Sequence, residues 1–252
     1  MSDAPPAAYG RRDPALLGQT LVVIGGSAGI GLATARHARA EGATVILTGR
    51  DPDRLRIASA EVEARSTAAF DATDPALLQQ FFRELPRPID HVLVTAGSPS
   101  YGRLLDMDTE QARRAISTHM VLALDVARHA ATAVRPGGTL LLLGGTGARR
   151  PRAGLGIAPA ATAAMPVFTA SLALELAPIR VNLIAAGFVD TPLSARLLGD
   201  GLEARREGLR ATLPIGRVVV PEDVAALAVH IMTNTALTGA TYDIDGGQQL
   251  VG

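Results

Sequence analysis

The chain has 252 residues, and its 24 basic residues balance its 24 acidic ones. This neutrality argues against a broad charged surface for nucleic acid or membranes, and the lack of cysteine excludes disulfides and thiol chemistry. Lysine is absent too, so every basic residue is an arginine. Because 48% of the residues are apolar, a chain of this length can form one continuous core.

The first 17 residues contain several prolines, Arg11 and Arg12, but no apolar run that could serve as a signal peptide. We expect residues 1–17 to form a mobile tail and residues 18–252 to form the folded domain. No run of about 18 apolar residues occurs, as a membrane-spanning helix would require. The sequence therefore predicts a soluble cytoplasmic protein without a membrane or nucleic-acid partner.

Short apolar runs alternate with longer segments in which Ala, Leu and Arg have helical spacing. The predicted strands cover residues 20–24, 44–47, 91–95, 139–143 and 180–185, and the predicted helices cover residues 32–41, 75–84, 110–134 and 160–176. The strand runs are nearly uninterrupted, which is typical of parallel strands covered on both faces. This alternation predicts a single-domain α/β fold, a Rossmann-like doubly wound parallel sheet flanked by helices.

Residues 188–220 depart from the alternation, with Pro192, Pro214 and scattered charges. In a doubly wound enzyme, an irregular segment late in the chain commonly covers the substrate cleft. We therefore expect a substrate lid over about residues 188–220, with a surface insertion of no role as the alternative. Pro166 falls inside a predicted helix and should kink it or remove a hydrogen bond.

A glycine-rich loop links the first strand to the first helix. Its residues are Gly25, Gly26, Ser27, Ala28, Gly29, Ile30 and Gly31. The glycines allow a tight turn and a close backbone approach, and the following helix directs free N–H groups at a pyrophosphate. The position between strand and helix predicts a dinucleotide-binding loop.

The same loop contains the pattern Gly25-x-Ser27-x-Gly29 of a hydrolase nucleophile elbow. Asp190 and His230 follow in a suitable chain order for a catalytic triad. A nucleophile elbow here would have to lie on the very first strand, and Gly31 continues the dinucleotide pattern. Both points favour a cofactor loop over a hydrolase.

Five motifs together resemble the short-chain dehydrogenase/reductase family over nearly the whole chain after the tail. They are Gly25-x3-Gly29-x-Gly31, Asp71-Ala72, Thr95-Ala96-Gly97, Val181-Asn182-x4-Gly187 with Thr191, and Asp245-Gly246-Gly247. The resemblance implies that Asp71 and Ala72 bind adenine and that Ala96 and Gly97 line the cofactor. It also implies that Gly187, Val189 and Thr191 hold the nicotinamide carboxamide. Two positions depart from the family pattern: this chain has Ile24 where threonine is usual and Ala186 where proline is usual.

The end of the second strand indicates which cofactor is preferred. Relatives that prefer NAD usually have an acid there, but this chain has Gly49 followed by Arg50. Because a guanidinium can bind a 2′-phosphate bidentately, the sequence favours NADP(H). The alternative is a solvated arginine beside Asp51.

The resemblance places an Asn-Ser-Tyr-Lys catalytic set on four positions that hold none of those residues. They are His119 for asparagine, Gly145 for serine, Ala158 for tyrosine and Thr162 for lysine. No shift of the alignment can restore the lysine, because the chain has none. A phenol that acts as general acid contributes about 10²–10⁴-fold in rate, so another group must supply that help.

Three residues could replace the missing proton donor. His119 is the strongest candidate, because imidazole titrates near neutrality and this position faces the cleft in the family. Thr146 and Tyr101 could donate hydrogen bonds to a carbonyl, although each also suits a purely structural role. The loop arginines 149, 150 and 152 could meet an anionic substrate, or could simply be solvated. The remaining histidines lack ligand spacing, so no metal site is expected.

The sequence leaves three functions open. The first is an NADP(H)-dependent oxidoreductase acting on a small carbonyl compound, alcohol or imine with a non-standard proton donor. The second is a catalytically silent homologue that serves as a nucleotide-binding partner subunit, and the third is a non-redox enzyme that reuses the cleft. The two long helices 110–134 and 160–176 carry apolar residues on several faces. In the family such helices form a homodimer or homotetramer interface, which could instead bind a catalytically active homologous subunit.

Overall fold

The computed structural model describes residues 13–97 and 99–251. Seven parallel strands form one sheet in the order β3-β2-β1-β4-β5-β6-β7. The strands are β1 Thr20–Ile24, β2 Thr44–Gly49, β3 Ser66–Ala69, β4 Ile89–Val94, β5 Val134–Gly145, β6 Arg180–Ala186 and β7 Thr241–Ile244. The direction of winding reverses between β1 and β4, which is where open sheets of this kind bind ligands. The predicted single-domain, doubly wound sheet is confirmed.

Helices cover both faces of the sheet. They are α1 Gly29–Ala40, α2 Pro52–Val62, α3 Pro75–Glu84, α4 Thr109–Ile116, α5 Leu122–Ala133, α6 Ala158–Glu175, α7 Pro192–Leu198, α8 Leu202–Thr212 and α9 Pro221–Thr233. One core lies between the sheet and α3, α5 and α6, and a second lies between the sheet and α1, α2 and α9. Alternate residues of β1 serve the two cores, with Val22 in the first and Val23 in the second. Burial on both faces explains the uninterrupted apolar runs.

The long helix predicted over residues 110–134 contains a turn of π-helix. The π turn Ser117–Val121 joins α4 to α5 without a break. Such turns widen a helix by one residue and are frequent at functional sites. The helix around Pro166 continues from Ala158 to Glu175, so the proline costs one backbone hydrogen bond without ending the helix.

The domain begins earlier than residue 18, because part of the predicted tail packs on it. Residues 1–12 of that tail lie outside the described residues. Leu16, however, is fully buried in the second core, and its N–H donates to the carbonyl oxygen of Glu41 at 2.9 Å. The boundary at residue 17 is therefore wrong by at least two residues. Within the described part of the chain, no helix combines the length and the apolar composition needed to cross a membrane.

Arg180, the first residue of β6, is a buried cation with 6% of its surface exposed. Among the described residues, its guanidinium donates only to neutral oxygens. The acceptors are the carbonyls of Gly137, Ile231, Met232, Asn234 and Leu237 and the hydroxyl of Thr139. Ile231 and Met232 belong to the last turn of α9, whose carbonyls lack partners within the helix. Arg180 therefore ties the end of α9 to the sheet.

His91 on β4 is 1% exposed, and its Nε2 lies 2.7 Å from the Oε1 atom of Gln19. Because the amide oxygen only accepts, Nε2 carries the proton of the neutral ring. Burial lowers the pKa of His91 from 6.5 to about 4. The native state consequently keeps this ring neutral over a pH range in which the unfolded chain protonates it.

We expect the free energy of unfolding to fall by about 3 kcal/mol as pH decreases through this window from about 6.5 to about 4, because protons then bind preferentially to the unfolded chain. Urea unfolding at a series of pH values measures this loss. In His91→Asn, the decrease in the free energy of unfolding over the same pH series should be smaller by that amount. Parallel profiles for the two proteins would show that His91 does not control acid stability.

Candidate cofactor and substrate site

The loop after β1 is shaped by close backbone contacts that only glycine permits. Gly25 has φ +103°, a region that favours glycine. A Cβ atom on Gly31 would lie 2.2 Å from the carbonyl oxygen of Gly25 and 2.7 Å from Thr95 Oγ1. The hydroxyl of Thr95 in turn donates to that carbonyl at 2.9 Å. The start of α1, the loop and the end of β4 are thus packed backbone to backbone.

The first turn of α1 has no side chain that caps it. Ala28 occupies the N-cap position, and no acidic residue lies in the first turn. The N-termini of α2, α3 and α4 are each capped by an aspartate side chain, from Asp51, Asp74 and Asp108. Free N–H groups and the positive end of the helix dipole suit a pyrophosphate. The loop and helix therefore fit a dinucleotide.

Two further predicted cofactor segments lie close to this loop. A Cβ on Gly29 would be 3.5 Å from Thr191 Cβ, which places the start of α7 beside the start of α1. The N–H of Ala96 donates to the carbonyl oxygen of Ile24 at 2.9 Å. A Cβ on Gly97 would be 3.0 Å from Thr118 Cγ2, so the end of β4 also lies against the π turn. The structure thus brings the predicted ends of β1, β4 and β6 together at one edge of the sheet.

Arg50 stands exposed after β2, and no carboxylate of the described residues lies within ion-pair distance of it. The neighbouring Asp51 is already engaged, since it accepts from the first N–H groups of α2 and lies 3.3 Å from Arg54 Nε. Asp71 has a lowered pKa, chiefly because the N–H of Thr73 donates to it, with Arg50 contributing. Arg50 is therefore available beside the predicted adenine position.

Gly145 and Thr162, which stand at the predicted serine and lysine positions, face each other. A Cβ on Gly145 would lie 3.4 Å from Thr162 Cγ2, an ordinary contact. The hydroxyl of Thr162 donates back to its own helix, to the carbonyls of Ala158 and Pro159 at 3.0 and 3.1 Å. A cavity of about 220 Å³ lies beside them, lined also by Arg149 and Pro166. The described lining of this cavity includes no tyrosine, lysine, histidine or acidic residue.

His119 lies in the π turn, half-buried, with its Nδ1 3.0 Å from the carbonyl oxygen of Ala115. Because a carbonyl only accepts, Nδ1 carries a proton, and Nε2 is the second ring nitrogen that can take or give one. Nε2 has no hydrogen-bond partner among the residues the structure describes. The ring is thus oriented by one nitrogen and free at the other.

The other two candidates occupy neighbouring loops. Thr146, directly after β5, is 8% exposed, and Tyr101, after β4, is 50% exposed. Partial burial raises the pKa of Tyr101, which keeps its phenol protonated. Within the described chain no hydrogen bond joins His119, Thr146 and Tyr101 to one another. They share one edge of the sheet without forming a preassembled triad.

The hydrolase alternative finds no support in the geometry. Asp190 pairs with Arg206 at 2.8 Å, and His230 lies in the last turn of α9, 3.5 Å from Asn234. That end of α9 lies at the opposite edge of the sheet from Ser27. The three residues do not form a nucleophile, base and acid.

The segment 188–220 contains α7 and α8, is held together by contacts of its own and packs against the chain end. Arg206 of α8 reaches Asp190, and the N–H of Asp190 donates to the carbonyl oxygen of Val219 at 2.9 Å. A Cβ on Gly247 would be 2.6 Å from Pro214 Cγ, so the chain end packs against this segment. Sequence reasoning missed Arg206 and its neighbour Arg205, because one more charged helix carries no distinguishing pattern.

Comparison with known proteins gives matches over almost the whole chain. A family model described as Enoyl-(Acyl carrier protein) reductase matches residues 25–249. The chain is 28% identical to "Short-chain dehydrogenase/reductase ATR9" of Stachybotrys chlorohalonatus (93% of this chain, 98% of the relative). It is 31% identical to the 3-oxoacyl-[acyl-carrier-protein] reductase FabG of Chlamydia pneumoniae (93% and 98%). A solved small-chain dehydrogenase in complex with NADPH superposes with a TM-score of 0.79 and 29% identity (92% and 99%).

Proposed function

This chain belongs to the short-chain dehydrogenase/reductase family of oxidoreductases, and we propose that it uses NADP(H) to reduce or oxidise a small carbonyl compound, alcohol or imine with a non-standard proton donor. The observation that carries the proposal is the close-packed glycine loop before the uncapped start of α1, which together form the dinucleotide cradle. Gly25 and Gly31 keep the tight loop, and α1 keeps its open N-terminus. When bound, the nicotinamide would supply the hydride in a reduction and accept it in an oxidation.

In this proposal the chain holds the cofactor through the residues placed around that cradle. The α1 N–H groups bind the pyrophosphate, Asp71 and Ala72 border the adenine, and Gly187, Val189 and Thr191 hold the carboxamide. The segment 188–220 acts as the lid that covers the substrate. The similarity to a structure described with NADPH supports the same cofactor for this chain.

Preference for the 2′-phosphate is assigned to Arg50. We expect Arg50→Gln to weaken NADPH binding by about tenfold or more, because a charge-assisted bidentate contact is lost, and to leave NADH binding unchanged. Titrations of both cofactors measure the two affinities. Arg54→Gln is the matched control, since Arg54 lies only four residues after Arg50 in the chain but pairs with Asp51. Equal loss for both cofactors would remove Arg50 from 2′-phosphate recognition.

The proton is assigned first to His119. During reduction, negative charge develops on the substrate oxygen, and an imidazolium Nε2–H could neutralise it while Nδ1 stays bonded to Ala115. Thr146 and Tyr101 are the weaker candidates, as hydrogen-bond donors to the same oxygen. An imine needs less acid assistance than a ketone, which suits a site with so few donors.

His119→Ala is expected to lower kcat by about 10²-fold while the affinity for NADPH stays the same, because only proton donation is removed. Steady-state kinetics on a substrate found by screening ketones and imines with NADPH give both quantities. His230→Ala, an exposed histidine on α9, is the control. If kcat is unchanged in His119→Ala but falls in Thr146→Val or in Tyr101→Phe, the proton donor is the residue whose replacement lowers kcat.

One observation favours the catalytically silent alternative. The Thr162 hydroxyl is used by its own helix, so the position of the missing lysine presents no donor to the cleft. A silent homologue would bind NADPH and reduce no member of a broad carbonyl and imine panel. A non-redox enzyme that reuses the cleft would bind neither cofactor.

The experiment that tests the proposal is a titration with NADPH and with NADH. Because the chain has no tryptophan, the fluorescence of the reduced nicotinamide can be followed without energy transfer from the protein. At a cofactor concentration of 100 times Kd, the fold should gain about 2.7 kcal/mol, visible as a thermal shift. Absence of binding by either cofactor would overturn the oxidoreductase proposal.

We also propose that the chain forms a homodimer or homotetramer through α5 and α6. Val167 and Leu174 of α6 are 72% and 82% exposed and stand seven residues apart, on one face of the helix. Burying such side chains against a second copy removes apolar area from water. A purely monomeric sedimentation profile would exclude a self-associating interface and leave a homologous subunit as the partner to seek.

A further inference from the structure

The arginine-rich loop after β5 has one arginine that the fold does not use. Arg149 Nη2 lies 2.7 Å from Asp243 Oδ1, and Arg150 donates to the carbonyl oxygen of Val251. Arg152 has neither an ion-pair partner nor a side-chain hydrogen bond among the described residues, and it is exposed. Only this third guanidinium is free to meet a ligand.

The loop that carries Arg152 is held against the loop after β4. The N–H of Gly102 donates to the carbonyl oxygen of Gly154 at 2.8 Å, and Gly102 pairs with Leu155 as in a parallel bridge. Tyr101 is therefore fixed next to the segment that follows Arg152. These two loops leave the carboxyl edge of the sheet, where the cofactor residues also lie.

The lid segment adds a second free guanidinium to this group. Arg205 of α8 lies with its Cζ 5.7 Å from the centroid of the Phe188 ring, and Phe188 is held by its N–H, which donates to Gln248 Oε1 at 2.8 Å. Within the described chain no carboxylate lies within 4 Å of Arg205, whereas the adjacent Arg206 pairs with both Asp190 and Glu203. Arg205 is thus positioned by an aromatic ring and left without a counter-ion.

The chain end links α8 to the arginine-rich loop, because Val251, whose carbonyl oxygen accepts from Arg150, packs with Phe188 against the apolar cluster that contains Leu209. The pKa of Arg205 is lowered, first by burial and then by the positive charge of Arg152, and Tyr101 acts in the opposite direction. Two neighbouring cations without an acid repel each other, and an anion between them relieves that repulsion. The protonated phenol of Tyr101 adds a neutral hydrogen-bond donor.

We propose that Arg152, Arg205 and Tyr101 bind an oxyanion of the substrate, so that the substrates are carbonyl or imine compounds carrying a carboxylate or a phosphate group. This inference rests on the proposed function, because it names the substrate class of the same cleft. The three residues come from three separate segments, so the anion also fastens the lid segment to the two loops. Tyr101 then binds the anionic group of the substrate, and proton donation at the reacting carbonyl is left to His119 or Thr146.

Keto acids of increasing chain length, beginning with levulinate, and their methyl esters test the proposal, since each pair differs in one negative charge. Binding to the protein, with and without NADPH, is followed by thermal shift and by nicotinamide fluorescence. We expect the best acid to bind about tenfold or more tightly than its ester. The matching keto phosphonates distinguish a phosphate-like ligand from a carboxylate.

Arg152→Gln and Arg205→Gln should each reduce the preference for the acid by about five- to tenfold, and Arg205→Lys should restore part of it, because charge returns without the planar fork. Arg83→Gln is the matched control, since Arg83 is also exposed but ends α3 at the opposite edge of the sheet. Thermal unfolding of each free variant verifies that it is folded.

Two outcomes separate the failure of this inference from the failure of the proposed function. If NADPH binds but acids and esters bind equally, or if the preference persists in the double variant, the oxyanion site is wrong and the oxidoreductase proposal stands. If NADPH does not bind while the preference for the acid depends on Arg152 and Arg205, the oxyanion site stands and the oxidoreductase proposal falls.

Discussion

Replacing Arg180 by methionine is expected to lower the free energy of unfolding by about 4 kcal/mol, a large part of what a domain of this size has. Methionine fills much of the volume and removes a buried charge, which by itself can stabilise a fold. Here the loss of hydrogen bonds outweighs that gain, because the carbonyl acceptors remain after the guanidinium is removed. The last carbonyls of α9 would lose the guanidinium that satisfies them, at about 1–3 kcal/mol for each unsatisfied group.

A cavity of about 290 Å³ next to Arg180 limits this loss. It is lined by polar groups including Gln19 and Thr233, so water can enter and bind some of the freed carbonyls. Urea unfolding of Arg180→Met and Arg180→Lys measures the effect, with the lysine variant expected to lose less because it keeps the charge. Arg65→Met, at an exposed site, is the control. A loss below about 1 kcal/mol in Arg180→Met would mean that α9 does not depend on this side chain.

Gly31→Ala is expected to abolish cofactor binding, with at least about a 10³-fold loss of affinity. The added Cβ would lie 2.2 Å from the carbonyl oxygen of Gly25 and 2.7 Å from Thr95 Oγ1. The first contact is with a backbone oxygen, which cannot rotate away as a side chain can, so α1 must move away from the pyrophosphate position. Displacements of about 1 Å are enough to lose hydrogen bonds to a phosphate.

The matched control is Gly208→Ala in α8, where a Cβ would meet no atom within 4 Å. It should bind cofactor as the original chain does and gain up to about 1 kcal/mol in stability, since alanine favours a helix. Fluorescence titration with NADPH compares the two variants. Unimpaired binding in a folded Gly31→Ala protein would show that the loop does not hold the pyrophosphate.

Much of the fold was predictable because burial on both faces leaves a simple pattern. Apolar runs marked β1, β4, β5 and β6, and Asp74 followed by Pro75 marked the start of α3 where the structure has it. The edge strand β3 escaped prediction, since Ser66–Ala69 is mostly exposed and has no apolar run. The π turn escaped too, because one extra residue in a helix hardly alters its apolar spacing.

The candidate site was predictable only where backbone geometry demands particular residues. The glycines of the loop after β1 indicate that backbone segments approach closely there, and the structure has such a contact between Gly25 and Gly31. The proposed grouping of Arg152 with Arg205 depends on how the segment 188–220 lies relative to a loop more than fifty residues earlier in the chain. Side chains at exposed positions carry no periodicity, so tertiary structure is needed to bring them together.

Gly145 has an unusual consequence for the mutational history of the chain. Its backbone is extended, with φ −139° and ψ 159°, a conformation that any residue adopts. A Cβ there would meet no atom closer than 3.4 Å. Two of the four glycine codons become serine codons by a single nucleotide change, and Gly145→Ser is sterically silent. Glycine at this predicted serine position is therefore not imposed by the fold.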